Sequence, residues 1–373
     1  MSKDISKTET KTEITDEREE FFASLVRPCV RELEPYNPGE MPENCVRLCA
    51  NESGRGASPK VTEAMREALL CAPRYPESTC RKLRTAIAEK YGLSPDNIIV
   101  GNGLDGVFTM LGRTFFSPGD EVISADLTFS VYLDTAVIMG CSAVTVPLNY
   151  RMEFDADSVI NAVTKKTKMI FWCNPNNPTG TFVPLGEIVR VIEAIPQNVL
   201  FVLDEAYIEF AENPESGMAL TKKYPNLIVC RTFSKIHGLA GVRIGFAAAH
   251  PMLIKQMYRT REPYCVSDIA SAGALAALAD EDYFSESRTL FIRERQRLES
   301  FFTEIGADFI PSQANFILLT GDNAEGIYKA LAEKNIITRL VNARGTKMLR
   351  ITVGTEEENN LLIKYRAVFS RKV

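Results

Sequence analysis

The sequence predicts an α/β protein built on a doubly wound, mostly parallel sheet of seven strands. Two patterns predict it: short, largely apolar runs alternate with longer helical stretches, and the run 199–203 is apolar at every position. Strands of that kind are buried on both faces, which requires helices above and below the sheet. The predicted strands cover residues 97–100, 121–125, 143–146, 168–172, 199–203, 227–231 and 243–247.

A smaller α/β domain is predicted after the sheet. Beyond about residue 250 the pattern becomes helical, over 269–279 and 283–305, and short strands return at 315–319 and 348–353 around a helix. A chain of 373 residues is long enough for one large and one small domain. The expected division is a disordered tail at 1–18, an N-terminal arm with part of the small domain at 19–55, a large ligand-binding domain at 56–265 and a C-terminal small domain at 266–373.

The N-terminal residues 1–18 carry charge without periodicity, so we expect them to be disordered. They contain no apolar stretch, and we do not expect a signal peptide. A short amphipathic helix is expected at 19–27, ended by Pro28.

Composition and charge argue against several functional classes. Hydrophobic residues make up 45% of the chain and charged residues 24%, which is ordinary for a water-soluble protein. The net charge of -5 argues against nucleic-acid binding as the main task, and no apolar run approaches the roughly 20 residues of a membrane helix. Nine cysteines without a CxxC pair fit reduced thiols in a cytoplasmic enzyme better than disulfides, and with two histidines we expect no histidine-based metal site.

Lys235 is the most informative single residue. It lies among small and apolar residues in the segment 231–246 (RTFSKIHGLAGVRIGF). Burying a lysine ammonium is costly, and one reason to do so is to trap a carbonyl, because desolvation and nearby cations lower the pKa of the amine. Such an amine forms a Schiff base with a pyridoxal aldehyde. The alternative is a surface lysine on a strand-to-helix loop, and Lys235 taken alone does not decide between the two.

Two further segments favour the first interpretation. Asp204 follows the apolar run 199–203, so its carboxylate is expected at the carboxyl edge of the sheet, where it would keep a pyridine nitrogen protonated. In the segment 173–180 (CNPNNPTG), two prolines stiffen a loop that would aim an amide at the phenolate oxygen of a pyridoxal ring. The alternatives are a helix N-cap for the aspartate and an ordinary turn for the loop.

A glycine-rich turn follows the first predicted strand of the sheet. The segment 97–106 (NIIVGNGLDG) is typical of a strand, a turn and a helix whose N-terminus receives a phosphate. Gly101, Gly103 and Gly106 also satisfy the dinucleotide fingerprint GxGxxG, so a nicotinamide-dependent oxidoreductase is the rival enzyme class. That alternative leaves the lysine, the aspartate and the asparagine loop unexplained.

Taken together, these motifs resemble those of fold-type I pyridoxal-phosphate-dependent aminotransferases, and most of all the histidinol-phosphate aminotransferase family. The resemblance spans the chain from about residue 21 to the C-terminus. It implies the fold-type I transferase fold, pyridoxal 5'-phosphate as cofactor of the large domain, and a homodimer. The matching segments are 26–39 (VRPCVRELEPYNPG), 174–180 (NPNNPTG), 204–210 (DEAYIEF), 232–245 (TFSKIHGLAGVRIG) and 349–355 (LRITVGT).

The resemblance also implies how the cofactor is held. Lys235 would carry it covalently and Asp204 would pair with its ring nitrogen. Asn177 and Tyr207 would share its phenolate oxygen, and Phe129 would stack on the ring. The phosphate would be bound by residues of the glycine-rich turn, by residues around the lysine and by a tyrosine from the neighbouring subunit, which are Gly103, Leu104, Asp105, Thr232, Ser234, Arg243 and Tyr75.

A second group of residues is implied in substrate recognition. Arg350 matches the arginine that grips the substrate α-carboxylate, for which a guanidinium has the right bidentate geometry. Arg339 matches a second arginine that contacts a substrate phosphate. Asn51 and Glu52 match the start of the N-terminal substrate loop.

The rest of that loop departs from the family. The segment 51–56 (NESGRG) stands where Asn-Glu-Asn-Pro-Tyr-Gly is usual, so a proline and a tyrosine are missing, and Arg55 is expected to add positive charge to the pocket wall. Cys29 and Cys265 stand where asparagine is frequent. These departures leave the identity of the amino donor open.

The expected reaction is transamination between an amino acid or amino-alcohol phosphate and 2-oxoglutarate. Lys235 would act as general acid and base at the substrate α-carbon, supported by Asp204 and Tyr207. The alternatives are an aromatic amino acid aminotransferase, a pyridoxal-phosphate-dependent decarboxylase or lyase of the same fold, and a non-catalytic regulatory protein that has kept the fold.

Overall fold

The computed structural model describes residues 18–31, 33–37, 39, 41–343 and 345–369. The tail predicted at 1–18 therefore lies outside the described residues except for residue 18, which is helical. The domain boundaries given above stay a prediction.

The helices and strands follow one another along the chain much as the apolar pattern predicts. In chain order the strands are β1 (Val46–Arg47), β2 (Ile98–Gly101), β3 (Glu121–Ala125), β4 (Ser142–Val146), β5 (Thr167–Cys173), β6 (Leu200–Asp204), β7 (Leu227–Thr232), β8 (Gly245–Ala249), β9 (Phe309–Ile310), β10 (Phe316–Leu319), β11 (Ile336–Ile337), β12 (Arg339–Ala343) and β13 (Thr346–Thr352). The helices are α1 (18–25), α2 (Pro28–Arg31), α3 (Pro59–Ala68), α4 (Arg81–Lys90), α5 (Gly103–Phe115), α6 (Val131–Ile138), α7 (Ala156–Ala162), α8 (Leu185–Ala194), α9 (Pro251–Met257), α10 (Asp268–Ala279), α11 (Glu281–Glu304), α12 (Ala324–Ala332) and α13 (Glu356–Lys364).

The large sheet has seven strands in the order β2-β8-β7-β6-β5-β3-β4. Its neighbours pair in parallel except that β8 runs antiparallel to both β2 and β7. Every residue of β2, β6, β7 and β8 is buried, so both faces of these strands are covered. The predicted doubly wound, mostly parallel sheet is confirmed.

The smaller domain is built around a four-stranded antiparallel sheet in the order β12-β13-β10-β9. Helix α12 packs against β13 and β12, and the 24-residue helix α11 packs against β10 and α13. The short strand β1 pairs in parallel with β11, which ties the N-terminal segment to this domain.

Two predicted boundaries differ from the structure for local reasons. The strand predicted at 243–247 begins only at Gly245, because Arg243 has φ of 59° and this left-handed conformation is incompatible with a strand. The helix predicted at 19–27 ends at residue 25, and Pro28 begins α2. Proline is well tolerated there because the first helical N–H needs no partner within the helix.

Candidate active site

The site lies at the carboxyl ends of the central parallel strands. Asp204 closes β6, and in the strand register it lies beside Cys173 at the end of β5 and Cys230 in β7. The 174–180 loop leaves β5 at this edge, and the segment that carries Lys235 leaves β7 at the same edge. The fold therefore brings the three predicted motifs together, as expected for ligand sites of parallel sheets.

Asp204 is 3% exposed, and each of its carboxylate oxygens accepts a hydrogen bond. Tyr132 donates to Oδ2 over 2.5 Å and the backbone N–H of Ala206 donates to Oδ1 over 2.9 Å. Burial raises the pKa of the Asp204 carboxyl to about 6, against the lowering effect of these hydrogen bonds. No cation among the residues that the structure describes forms an ion pair with Asp204, and a buried carboxylate of this kind is suited to receive a cationic group of a ligand.

Lys235 is partly buried at the same edge. Its Nζ donates to the carbonyl oxygen of Ala50 over 3.1 Å and lies 5.6 Å from the centre of the Tyr207 ring. Burial and the positive charge of Arg350 lower the pKa of the Lys235 amine from 10.5 to about 8. An appreciable fraction of the amine is therefore neutral and nucleophilic near neutral pH.

The N-terminus of α5 forms an anion cradle with Arg243. Asn102 precedes the helix without capping it through its side chain, so the first N–H groups of α5 are left for another acceptor. Gly103 has φ of 70°, and a Cβ there would come within 3.0 Å of Cζ of the Arg243 guanidinium. Arg243 donates to Asp105 over 3.0 Å and contacts the Ser234 hydroxyl at 3.5 Å.

Leu104 lies in the first turn of α5 and is buried, so only its backbone can contribute to this cradle. Thr232 ends β7, and its hydroxyl accepts the N–H of Ser234 over 3.0 Å. Hydrogen bonds therefore link Thr232, Ser234, Arg243 and Asp105 to one another beside Gly103, and their contact with a phosphate stays a prediction.

In the 174–180 loop, the three asparagines have different tasks. Asn174 exchanges two hydrogen bonds with the backbone of Val183, and Asn176 is held by Leu127 and Thr128. Both are therefore structural. Asn177 is the asparagine for which a contact with the ligand is predicted. Its Oδ1 accepts a hydrogen bond from Nη1 of Arg350 over 2.6 Å.

Arg339 and Arg350 are paired directly across the antiparallel strands β12 and β13. Arg350 also donates to the carbonyl oxygen of Cys49 over 2.7 Å, and its buried Nε has no partner among the described residues. Arg339 donates to the carbonyl oxygen of Asn37 over 2.8 Å and lies 5.3 Å from the Tyr36 ring. Burial and the neighbouring Arg339 lower the pKa of Arg350. Two adjacent guanidinium groups favour a ligand that carries either a doubly charged phosphate or more than one carboxylate.

Two residues of the predicted substrate loop, Asn51 and Glu52, act on residues of the site. The amide nitrogen of Asn51 donates to the Tyr207 hydroxyl over 3.0 Å. Glu52 forms an ion pair of 3.1 Å with Arg47 at the rim, and its charge acts to raise the pKa of Lys235.

Arg55 differs from the expectation that it would add charge to the pocket wall. Its guanidinium turns to α11, where it donates to the Ser287 hydroxyl and to Glu286 and stacks 3.9 Å from the Tyr283 ring. Arg55 makes these three contacts with α11 instead of facing the pocket. The arginine therefore fastens the loop to α11.

Two predicted aromatic contacts lie at the edges of the site. Phe129 is partly buried and packs edge-on against Tyr132 at 5.5 Å. Tyr75 is 82% exposed and stacks on Tyr264 at 4.7 Å. Their contacts with a ring and with a neighbouring subunit stay predictions.

Tyr132 and a buried ion-pair cluster behind Asp204 also belong to the site, although they were not predicted from the sequence. Arg231 contacts Glu205 and Glu209, each over 2.9 Å, and all three side chains are at most 9% exposed. Arg231 is the residue before Thr232, but its partners lie 22 and 26 residues away, so no local pattern indicates the pairing. Arg231 thus pairs with both of the carboxylates nearest to Asp204 along the chain, while the charge of Glu205 still acts to raise the pKa of Asp204.

The sequence of this chain is similar to a known family of enzymes over most of its length. A family model for aminotransferase class I and II matches residues 43–365. The chain belongs to this aminotransferase family. The recognition made from the motifs is thereby confirmed, and the rival oxidoreductase interpretation of GxGxxG is not favoured.

Individual relatives of this aminotransferase point the same way. It is 38% identical over 349 residues to a histidinol-phosphate aminotransferase of Anaeromyxobacter sp. (strain Fw109-5), with 90% of this chain and 96% of the relative covered. It is 36% identical over 352 residues to a histidinol-phosphate aminotransferase of Symbiobacterium thermophilum, with 91% and 97% covered. The crystal structure of histidinol-phosphate aminotransferase from Sinorhizobium meliloti in complex with pyridoxal-5'-phosphate superposes with a TM-score of 0.86 at 30% identity, covering 93% of this chain and 98% of that one.

Among the described residues, no His, Cys, Asp or Glu side chains form a group that could hold a metal ion. Within the same residues, no helix is both long and apolar enough to cross a membrane. Aminotransferases act on small molecules.

Proposed function

We propose that this aminotransferase uses pyridoxal 5'-phosphate to move an amino group between an amino donor of the histidinol-phosphate type and 2-oxoglutarate. The observation that carries the proposal is the lowered pKa of the Lys235 amine at a site that also holds a buried carboxylate, an anion cradle and two adjacent arginines. The relatives named above support the same activity.

The residues of the site fit this cofactor. The α5 N-terminus, Ser234 and Arg243 would hold a phosphate, and Gly103 keeps the cradle open because it lacks a Cβ. Asp204 would accept a hydrogen bond from a protonated ring nitrogen, which would offset the cost of its burial. Asn177 and Tyr207 would contact the ring oxygen.

When bound, the cofactor supplies an aldehyde that condenses with amines and a ring that withdraws electrons from the substrate α-carbon. The Lys235 Nζ would take the proton from that carbon and deliver it to the carbon that was the aldehyde carbon of the cofactor. Arg350 would orient the substrate through one anionic group, so that the α-hydrogen faces Lys235.

The paired arginines support the choice of substrate. Histidinol phosphate carries a phosphate, and glutamate, the partner of 2-oxoglutarate, carries two carboxylates. Arg350 and Arg339 lie side by side and would bind the anionic groups of either substrate in turn. The aromatic aminotransferase, decarboxylase and regulatory alternatives are not favoured.

A donor panel tests this proposal. Purified protein with added pyridoxal phosphate and 2-oxoglutarate is offered histidinol phosphate, the aromatic amino acids and a phosphorylated amino acid, and glutamate formation and carbon dioxide release are measured. We expect glutamate from histidinol phosphate and none with Lys235→Ala. Undiminished turnover by Lys235→Ala, or carbon dioxide as the main product, would end the proposal.

We also propose a homodimer in the cytoplasm in which Tyr75 of each subunit completes the neighbouring site. The dimer is supported by the 82% exposure of Tyr75 and by the exposure of Leu69 and Leu70, which lie a few residues earlier in the chain. Mixing Lys235→Ala with Tyr75→Ala subunits should restore up to about a quarter of the activity, because half the dimers then hold one intact site. Failure of the mixture to gain activity over both parents would exclude a shared site.

A further inference from the structure

Asn51 is a buried residue that links the smaller domain to the segment that follows β6 of the large sheet. It is 1% exposed and has φ of 54°. Its backbone N–H donates to the Thr352 hydroxyl over 3.0 Å, and its carbonyl oxygen accepts from the Asn315 amide over 3.1 Å. Its own side chain reaches the Tyr207 hydroxyl over 3.0 Å. Asn51 is therefore fixed on the smaller domain and contacts a residue of the cofactor site.

The orientation of the Asn51 amide follows from its neighbour. The Thr352 oxygen already accepts the Asn51 N–H, so its own proton is free to be donated to Oδ1 of Asn51, 3.2 Å away. In the reverse orientation, the Thr352 hydroxyl would face an NH₂ group and its proton would lose this acceptor. The amide nitrogen of Asn51 consequently faces Tyr207 and donates to it.

This direction determines what the Tyr207 hydroxyl does. A phenol has one proton to donate, and the Tyr207 oxygen is occupied on the Asn51 side by an incoming N–H. The proton of Tyr207 is therefore directed to a different acceptor. We propose that Asn51, oriented by Thr352, is a positioning residue that turns the Tyr207 hydroxyl proton toward the ring oxygen of bound pyridoxal phosphate.

This inference rests on the proposed function and has its own consequence. A proton donated to the ring oxygen withdraws negative charge from it, which makes the Lys235 nitrogen less basic when it is bonded to the cofactor. The pH at which the visible absorbance band of the bound cofactor titrates reports that basicity. Loss of the donated proton should therefore raise the midpoint.

The experiment compares this midpoint in four proteins. Asn51→Asp keeps a residue type that tolerates the left-handed backbone but offers only acceptors, so the Tyr207 proton turns back toward it. Thr352→Val removes the hydroxyl that fixes the amide, without changing the charge. We expect both variants to raise the midpoint by about one pH unit and to weaken pyridoxal phosphate binding about tenfold, while Thr352→Ser stays at the wild-type value.

A second comparison separates hydrogen-bond direction from a simple charge effect. In the Tyr207→Phe background there is no proton to redirect, so the charge-neutral Thr352→Val should cause no further shift, and Asn51→Asp should keep only the part of its shift that its added negative charge causes. The inference is overturned if the midpoints of both variants equal that of the wild type, or if the Thr352→Val shift persists without the tyrosine hydroxyl. A wild-type protein that forms no visible band with pyridoxal phosphate would instead refute the proposed function.

Discussion

Tyr132 donates its hydroxyl proton to Asp204 across 2.5 Å, between residues 72 positions apart in the chain. Both side chains are buried, and Tyr132 also stacks on Phe171 at 4.8 Å. The tyrosine thus holds the carboxylate in place, and no cation within the described part of the chain pairs with it. Such a buried acid is available to a cationic group of a ligand.

The first prediction concerns the stability cost of that acid. Burial raises the pKa of Asp204 from 3.8 to about 6, so the folded cofactor-free protein binds this proton more tightly than the unfolded chain does. This proton stabilises the folded protein. Its contribution to the free energy of unfolding is fully present below about pH 4 and is lost as the pH rises through about 6. At pH 8 the loss amounts to about 3 kcal/mol.

Asp204→Asn removes this loss, because the amide keeps the shape and does not ionise. We expect the cofactor-free variant to be up to about 3 kcal/mol more stable than wild type in urea at pH 8 and similar to it near pH 4, while binding pyridoxal phosphate far more weakly. The exposed Asp322→Asn is the matched control and should change neither property. Equal or lower stability of Asp204→Asn at pH 8 would contradict the prediction.

The second prediction concerns the Lys235 amine. Since its pKa is lowered to about 8 by burial and by Arg350, the rate at which the cofactor-free protein takes up pyridoxal phosphate should rise with pH around a midpoint near 8. Arg350→Gln should move this midpoint upward, because it removes a neighbouring positive charge. Stopped-flow absorbance measures the rate. The exposed Arg259→Gln serves as control, and a midpoint near 10.5 in wild type would refute the idea.

The third prediction separates the roles of the arginines. Arg339→Ala should raise the KM for histidinol phosphate by about 10- to 100-fold, the cost of one charge-assisted hydrogen bond. Arg55→Ala should leave that KM within about twofold of wild type, because the Arg55 guanidinium is engaged by Glu286, Ser287 and Tyr283.

Steady-state kinetics with histidinol phosphate and 2-oxoglutarate measure both effects. The Arg55→Ala variant should instead lose about 1–2 kcal/mol of stability in urea, since it releases the loop from α11. The opposite pattern, with a large KM effect from Arg55→Ala and a small one from Arg339→Ala, would show that this description of the pocket wall is wrong.

The fourth prediction concerns acid stability. His237 lies between Phe233 and Phe284, with ring centres 5.1 and 5.5 Å away, and burial lowers its pKa from 6.5 to about 3. The folded protein therefore keeps this imidazole neutral while the unfolded chain protonates it. The contribution to stability is complete above about pH 6.5 and is lost as the pH falls toward 3.

His237→Phe preserves the aromatic contacts and cannot be protonated. We expect it to be about 2–3 kcal/mol more stable relative to wild type at pH 4.5 than at pH 7.5, as measured by urea unfolding at the two pH values. His250→Asn, at the other histidine of the chain, keeps the N-cap acceptor of α9 and serves as control. An identical pH dependence in His237→Phe and wild type would contradict the assignment.

The sequence by itself determined the sheet, the family and the places of Lys235, Asp204 and Asn177. Each of these residues follows a buried apolar run within a few positions. Once the runs form neighbouring parallel strands, the loops after them must meet at one edge of the sheet. Their positions depend on local pattern and strand order, and both can be read along the chain.

Only the tertiary structure decided the contacts between distant segments. The pairing of Arg339 with Arg350 depends on strand register, the Asn51–Tyr207 hydrogen bond spans 156 residues, and the direction of Arg55 depends on which groups α11 offers. A side chain at the end of a loop can reach several partners, and the free energies that choose among them come from desolvation and geometry in the assembled fold. No periodicity or spacing in the chain encodes that choice.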